Sequence, residues 1–152
     1  MLSRFRPAFP ALGLLVLLAG AVYAQAFETL SIAMQGGQRQ SFRVEVARND
    51  ADRAQGLMFR RSMPADQGML FDFGRIEPVA MWMQNTYLPL DMLFIRADGS
   101  IARIAVNTVP HSTESVLSGE PVAAVLELAG GRSVELGIKE GDLVTWQVPS
   151  AQ

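Results

Sequence analysis

The stretch DMLFIRADGSIARIAV, residues 91–106, constrains the fold more strongly than any other part of the chain. Asp98-Gly99 lies between two apolar runs, and this dipeptide favours a two-residue type I′ turn that joins antiparallel strands. The stretch therefore predicts a β-hairpin. Because the turn fixes how the two strands pair, it also fixes which side chains share a face.

The predicted turn pairs Ala97 with Ser100. In that register Leu93 faces Ile104 across the hairpin, and we expect this face to be the one that packs into the core. The remaining predicted pairs are Ile95 with Ala102 on the same face, and Phe94 with Arg103 and Arg96 with Ile101 on the other.

A second hairpin is predicted where Gly36-Gly37 separates two β-prone stretches. Phe42, Val44 and Val46 alternate with charged residues, which is typical of a half-buried strand. Four short apolar runs bounded by glycine, proline or polar residues also predict strands: GMLFDF (68–73), VAMWM (79–83), AAVLEL (123–128) and LVTWQV (143–148).

Helical signals are few. Asn49 or Asp50 can cap a short helix that ends at Gly56. The segment GGRSVELGIKEGD (130–142) fits either a second helical turn ending at Gly137 or another hairpin. Many short strands with closely spaced turns predict a mainly β fold, a compact barrel or jelly-roll-like sandwich with one or two short helices.

The first 24 residues are predicted to be a secretory signal peptide. Arg4 and Arg6 precede an uncharged apolar run from Ala8 to Val22 that ends in small residues. Cleavage after Ala24 would give a periplasmic or secreted protein, whereas an uncleaved segment would act as a membrane anchor. No other part of the chain is expected to contact a membrane.

Residues 25–152 are predicted to form a single β-rich domain. The chain has no cysteine, so an exported domain must rely on its own core rather than on disulfides. Removing Arg4 and Arg6 from the 13 basic residues leaves 11 against 15 acidic ones, a net charge of −4. This balance argues against a nucleic-acid partner. We expect a small molecule or a protein as partner, and a monomer or a small oligomer.

Sequence patterns of catalysis are largely missing. A cysteine nucleophile is excluded, no phosphate-binding loop or metal cluster is present, and His111 is the only histidine. We interpret His111 as a solvated loop residue, assign no catalytic residue, metal or cofactor, and favour a protein that is not an enzyme. The alternative is a small hydrolase or isomerase with a perturbed carboxylate in a cleft, with Asp72 or Asp91 the first to inspect.

Methionines are concentrated in the middle of the sequence, where five of the eight fall within residues 58–83. Thioethers bind Cu(I), and on a strand Met81 and Met83 would share a face while Trp82 pointed the other way. The sequence therefore admits a Cu(I)-handling protein. We favour the interpretation that these methionines fill gaps in a core beside aromatic rings.

The segment MWMQNTYLPLD, residues 81–91, admits two interpretations. It can be a buried strand followed by a turn whose backbone is held by Asn85 and Asp91. It can also supply a small polar pocket with an aromatic wall at one end of a barrel. The candidate ligand-binding residues are Trp82, Asn85, Thr86, Asp91, Met58 and Met69.

The order and spacing of RAQGLMFR, GMLFDF, MWMQNTYLPLDMLFI, GSIARI, VLEL and LGIKEGDLV resemble the family called domain of unknown function 192. The resemblance covers Val44 to Val144, and one departure is Met81, where the family usually has an aromatic residue. The motif positions are Gly56, Leu57, Met58, Gly68, Met69, Trp82, Met83, Asn85, Thr86, Pro89, Leu90 and Asp91.

The resemblance implies a mainly β, barrel-like or jelly-roll-like domain that is commonly secreted or membrane-anchored, and it implies no known activity. Taken with the residues, it leads us to expect an exported, non-catalytic ligand-binding or accessory module. The carboxylate enzyme and the Cu(I)-handling protein are the alternatives.

Overall fold

A computed structural model describes residues 26–146, so the predicted signal peptide lies outside the described residues. The strands are β1 (Glu28–Ala33), β2 (Arg39–Ala47), β3 (Gln67–Met81), β4 (Leu90–Ile95), β5 (Ile101–Thr108), β6 (Val116–Ala129) and β7 (Leu143–Thr145). The helices are α1 (Asp50–Gln55) and α2 (Arg132–Leu136). No helix within 26–146 is long and apolar enough to cross a membrane.

The strands form one sheet in the order β5-β4-β6-β3-β2-β1-β7. All neighbours are antiparallel except β2 and β3, which run parallel and are joined by the segment that contains α1. At one end the sheet curls until its two edges meet. There the Val144 amide donates a hydrogen bond to the Gly99 carbonyl at 2.8 Å, and Ser100 forms an antiparallel β-bridge with Leu143. The mainly β prediction is confirmed, in its barrel-like form, as a half-barrel.

Both predicted hairpins are confirmed, although the turn at Asp98-Gly99 is not the predicted one. The Arg96 amide donates to the Ser100 carbonyl at 2.9 Å, and the Gly99 amide donates back to Arg96 at 3.0 Å. The loop thus holds three residues and ends in Gly99 with φ of 86°. This is a type I turn with a glycine bulge, which competes with the type I′ turn at the same dipeptide.

The changed turn alters the register only near the loop. Leu93 faces Ile104 and Phe94 faces Arg103 as predicted, but Ile95 faces Ile101, so the predicted partner Ala102 is wrong. The predicted pair of Arg96 with Ile101 is also wrong, because Arg96 bonds to Ser100. An irregularity after Phe94 absorbs the one-residue difference between the two registers.

Apolar side chains pack on both faces of the sheet. Leu93 and Ile95 belong to one cluster with Leu30 and Phe42, which confirms the predicted core face. The opposite face is buried as well: Phe94 packs in a second cluster with Met69, Phe71, Met92 and Leu57. The prediction of a single core face for this hairpin was therefore incomplete, because β4 is an inner strand covered on both sides.

The runs GMLFDF and VAMWM were predicted as separate strands, and both belong to β3. The strand ends at Met81, so the predicted extension through Met83 is wrong. The Met83 amide donates to the Ser112 carbonyl and the Thr86 amide to Met83, which turns the chain away from the sheet. As a result Met83 is 1% exposed while Trp82, 54% exposed, stands at the surface.

Both predicted helices are present. In α1, the Asn49 side chain accepts a hydrogen bond from the Asp52 amide at 2.9 Å, and the helix ends at Gly56. A side chain at Gly56 would lie 3.1 Å from the Phe71 ring, so glycine lets α1 approach β3 closely. The ambiguous segment at 130–142 takes its helical form as α2, which ends at Gly137.

Candidate functional site

A groove of about 280 Å³ lies between α1, the loop that follows it and the end of β3. Its walls combine aromatic rings, thioethers and a few polar side chains. The lining residues are Arg53, Ala54, Gln55, Gly56, Leu57, Met58, Phe71, Phe73, Val79, Ala80, Met81, Trp82, Gln84, Thr86 and Glu127.

Glu127 is the acidic residue that lines this groove. It lies on β6, with Met69 of β3 and Met92 of β4 as its cross-strand neighbours, and it is 3% exposed. No hydrogen bond or ion pair joins its side chain to a residue within 26–146. Its carboxylate oxygens open onto the groove, since they are not among the described polar atoms that are sealed from solvent without a partner. Burial away from water disfavours the charged form and raises the pKa of Glu127 to about 8.

One wall is formed by residues around the end of β3 and after α1. Met81, the last residue of β3, and the exposed Trp82 that follows it both line the groove, together with Met58. Aromatic rings and thioethers are polarizable and bind apolar or cationic groups. This wall therefore suits the apolar part of a small ligand.

Arg53 is the other charged residue that lines the groove. Its guanidinium donates to the carbonyls of Arg48 and Asp72 at 2.8 and 2.9 Å and forms an ion pair with Asp50 at 2.5 Å. It also lies 5.9 Å from the centre of the Phe73 ring. These contacts use three of the five N–H donors of Arg53 and hold α1 against β3.

Three loops at the open end of the groove are joined by backbone hydrogen bonds. The Phe59 amide donates to the Asn85 carbonyl at 2.9 Å, and the His111 amide donates to the Thr86 carbonyl at 3.1 Å. Phe59, Asn85 and His111 all have positive φ, a conformation that is costly for Phe59 and that asparagine and histidine adopt more readily. Such strain is often found at functional sites, and here it lies next to Trp82.

Asp91 has a different surrounding. Its carboxylate is fully buried and accepts hydrogen bonds from the amides of Asn107, Gly131 and Ser133 and from the Ser133 hydroxyl, at 2.6 to 2.9 Å. These bonds tie β4 to the end of β5 and to the start of α2. Asp91 therefore joins elements of the fold and does not line the groove.

The structure brings only some of the predicted site residues together. Trp82, Thr86 and Met58 line the groove, and Met69 lies beside Glu127. Asn85 touches the groove indirectly, since its side-chain amide lies 3.9 Å from the Met58 sulfur.

Sequence reasoning missed Glu127. The available signal was a single acid inside the apolar run AAVLEL, which a central strand must bury. The carboxylates named in advance, Asp72 and Asp91, do not line the groove.

Met81 and Met83, which the alternative Cu(I) hypothesis requires to converge, do not share a cavity. Met81 lines the groove, whereas Met83 lines a second cavity and its sulfur accepts a hydrogen bond from the Thr108 hydroxyl at 3.1 Å. Among the residues that the structure describes, no three acidic or histidine side chains are grouped as a metal site. The packing role that we favoured agrees with these positions.

The fold and the site define a small half-barrel β protein with a groove that ends at a buried acid. The chain belongs to the DUF192 family, described as uncharacterized ACR, whose profile matches residues 31–146. The resemblance noted in the sequence is thereby confirmed, and the match extends beyond both ends of the motif region.

Two solved structures are similar to this one. A candidate transcription regulator from Sinorhizobium meliloti 1021 shares 50% identity with a TM-score of 0.79, over 81% of this chain and 95% of that one. A protein of unknown function from Novosphingobium aromaticivorans DSM 12444 shares 37% identity with a TM-score of 0.78, over 84% of this chain and 90% of that one. No protein with curated annotation matches the chain.

Proposed function

We propose that this protein is an exported binding module that holds a small molecule in the groove between α1 and β3. The observation that carries the proposal is Glu127, a buried acid that lines the groove and has no partner among the described residues. Ligand pockets are typically apolar concavities with a few placed polar groups, and this groove has that composition.

A partnerless buried acid is costly to a fold. A carboxyl group taken out of water loses hydrogen bonds that the protein does not replace, and its charged form is penalised further. Glutamine or leucine on β6 would avoid part of this cost. A residue that lowers stability while lining a cavity is best explained by a ligand that supplies the missing partner.

Export is part of the proposal. Its support is the order of charged, apolar and small residues over positions 1–24, together with a chain that has no cysteine. A periplasmic or secreted location would give the groove access to small solutes outside the cytoplasm.

An enzyme that uses Glu127 as a general acid or base is the second candidate. A pKa of about 8 is near the range in which an acid can exchange protons at neutral pH, and this favours the idea. The lining residues include no nucleophile paired with a base and no second carboxylate. We therefore favour a binding function over a catalytic one.

The relative from Sinorhizobium meliloti is described as a candidate transcription regulator, which would imply contact with DNA. We do not extend that role to this chain. Proteins that bind DNA neutralise phosphates with a basic surface. Here acidic residues outnumber basic ones, 15 to 13 over the whole sequence.

Native mass spectrometry of protein purified from the periplasm tests the proposal. We expect the folded wild type to carry a retained small molecule as extra mass, or to gain thermal stability from members of a library of small amines, alcohols, carboxylates and amino acids. Trp82→Ala removes the groove wall and should abolish either signal.

The matched control is Tyr87→Ala, because Tyr87 is another exposed aromatic residue in the same loop but does not line the groove. This variant should bind like the wild type. A wild type without retained mass that no library member stabilises would contradict the binding proposal, and so would equal losses in the two variants.

A further inference from the structure

We propose that the ligand of this groove is a small organic cation, an alkylammonium whose charged head pairs with Glu127 and whose apolar chain lies against Trp82. This inference rests on the proposed binding function and names the class of its ligand.

Glu127 lacks a hydrogen-bond partner among the residues of 26–146. Its side chain is buried between Met69 and Met92, which offer no hydrogen-bond donor. An ammonium group brings both N–H donors and a positive charge, and hydrogen bonds between ionised groups are the strongest available to a carboxylate. A neutral ligand can share a hydrogen bond with the protonated acid, whereas only a cation compensates the negative charge of the carboxylate form.

The walls of the groove are rich in aromatic rings and thioethers. Trp82, Phe71 and Phe73 present aromatic rings to the groove, and Met58 and Met81 present thioethers. Aromatic faces attract cations, most strongly in sites shielded from water. The same walls accept the methylene groups of an alkyl chain.

The charged residues that line the groove disfavour an anionic ligand. Arg53 is the one basic residue among those lining the groove, and it is already paired with Asp50 and with two backbone carbonyls. An anion would therefore meet the acid of Glu127 and a single cation that is already engaged with Asp50. The groove of about 280 Å³ also lies at the small end of ligand sites, which favours a small amine.

Binding of an ammonium group has a proton balance. Burial raises the pKa of Glu127 to about 8, so at a lower pH its carboxyl group carries a proton. The incoming cation displaces that proton to solvent and pairs with the resulting carboxylate. The neighbouring positions on β3 and β4 are apolar, and Arg53 of α1 is the other charged group lining the groove. Apparent affinity should therefore rise about tenfold between pH 7 and pH 9, as the ionised fraction grows.

Isothermal titration calorimetry with three probes of equal chain length tests the proposal: n-pentylamine, n-pentanol and pentanoate. We expect the amine to bind at least tenfold more tightly than the alcohol, and pentanoate not to bind. Amine binding at pH 7 should release a proton, seen as a dependence of the measured heat on the buffer. Glu127→Gln should lose at least tenfold in amine affinity and keep its affinity for the alcohol.

Each contrary result has a distinct meaning. Equal binding of pentanol and pentylamine would overturn the cation assignment and leave the binding function standing. Binding of pentanoate alone would overturn it in the same way. A lysine peptide that binds while pentylamine does not would overturn the assignment to a free small molecule.

If none of the probes bound and the wild type also carried no retained mass, the binding function itself would fail. The Glu127→Gln result counts only if that variant melts cooperatively, and Tyr87→Ala serves as the control that should bind pentylamine normally.

Discussion

At the scale of single residues, two buried acids on neighbouring strands show opposite arrangements. Asp91 on β4 has its oxygens filled by four hydrogen bonds from the protein, whereas Glu127 on β6 has none from the described residues. The first arrangement stabilises a fold and the second destabilises it. The contrast separates a structural acid from a candidate functional one without any knowledge of the ligand.

Glu127→Gln should change how stability depends on pH. The folded pKa of Glu127, about 8, lies above the ordinary value of 4.5, so folding favours the protonated form. The resulting stability is present below pH 4.5 and is lost as the pH rises through about 8. The variant lacks this loss, and at pH 9 it should be more stable than the wild type by up to roughly 5 kcal/mol.

Urea denaturation at pH 4.5, 7 and 9 measures this effect, with Glu114→Gln as a control at an exposed acid. The control should follow the wild type at each pH. A Glu127→Gln variant that is no more stable than the wild type at pH 9 would mean that water or another group solvates the carboxylate.

Asp91→Ala should destabilise the protein far more than Asn85→Ala. Loss of the Asp91 carboxylate leaves three backbone amides and the Ser133 hydroxyl without their acceptor, at a cost of about 3 kcal/mol or more. Asn85 is exposed, and its substitution mainly places alanine at a φ of 55°, which costs about 1 kcal/mol. Chemical denaturation of both variants gives the comparison, and equal losses would contradict the assigned role of Asp91.

At the scale of elements, the two hairpins use the same turn in different surroundings. In each, a type I turn ends in a glycine with positive φ, at Gly37 and at Gly99. Nothing lies within 4 Å of a side chain built at Gly37, whereas at Gly99 it would lie 2.6 Å from the Val144 carbonyl oxygen. Gly99 packs against β7 and helps to join the two edges of the sheet, whereas Gly37 faces open space although the neighbouring Gln35 bonds to Asp142 and Glu140.

Gly99→Ala should therefore cost more than Gly37→Ala. Both substitutions place a side chain at positive φ, at about 1 kcal/mol each. Gly99→Ala must also displace β7 or break the hydrogen bond between Val144 and Gly99, which should bring its total to at least about 2 kcal/mol. Urea denaturation measures the difference, and hydrogen exchange at the Val144 amide should accelerate only in Gly99→Ala.

At the scale of the whole molecule, the sheet forms a half-barrel with apolar clusters on both faces. The cluster that contains Phe94 is covered by the loops after α1 and β3, through Leu57 and Met83, rather than by a second sheet, and the groove opens beside this cover. A site built in this way draws residues from α1, β3 and β6 and from the loop after β3. A substitution in the groove should therefore alter contacts between segments that are distant in the sequence.

The proposed export predicts where the mature chain begins. N-terminal sequencing of protein recovered from the periplasm should begin at Gln25, because the predicted cleavage follows Ala24. Ala24→Arg should block this cleavage, because the site requires a small residue at that position. A wild type recovered from membranes with Met1 still present would indicate an anchor instead.

Local chemistry determined much of the architecture. Turn dipeptides gave both hairpins, and Asn49 and Gly56 gave the limits of α1, because these signals act over a few neighbouring residues. The family and the mainly β class were also readable from the sequence. Errors concerned the turn type at Gly99, the division of β3 into two strands, the end of β3 and the second buried face of β4.

The tertiary structure decided which acid matters. Asp72, Asp91 and Glu127 are all carboxylates in or beside apolar stretches, and the sequence does not state which of them will find donors. Asp91 finds its donors at Asn107, Gly131 and Ser133, which are distant in the chain. Glu127 meets methionines of two other strands, because β6 lies between β3 and β4. Burial and pairing at long range set the charge state of an acid, and only the folded chain fixes both.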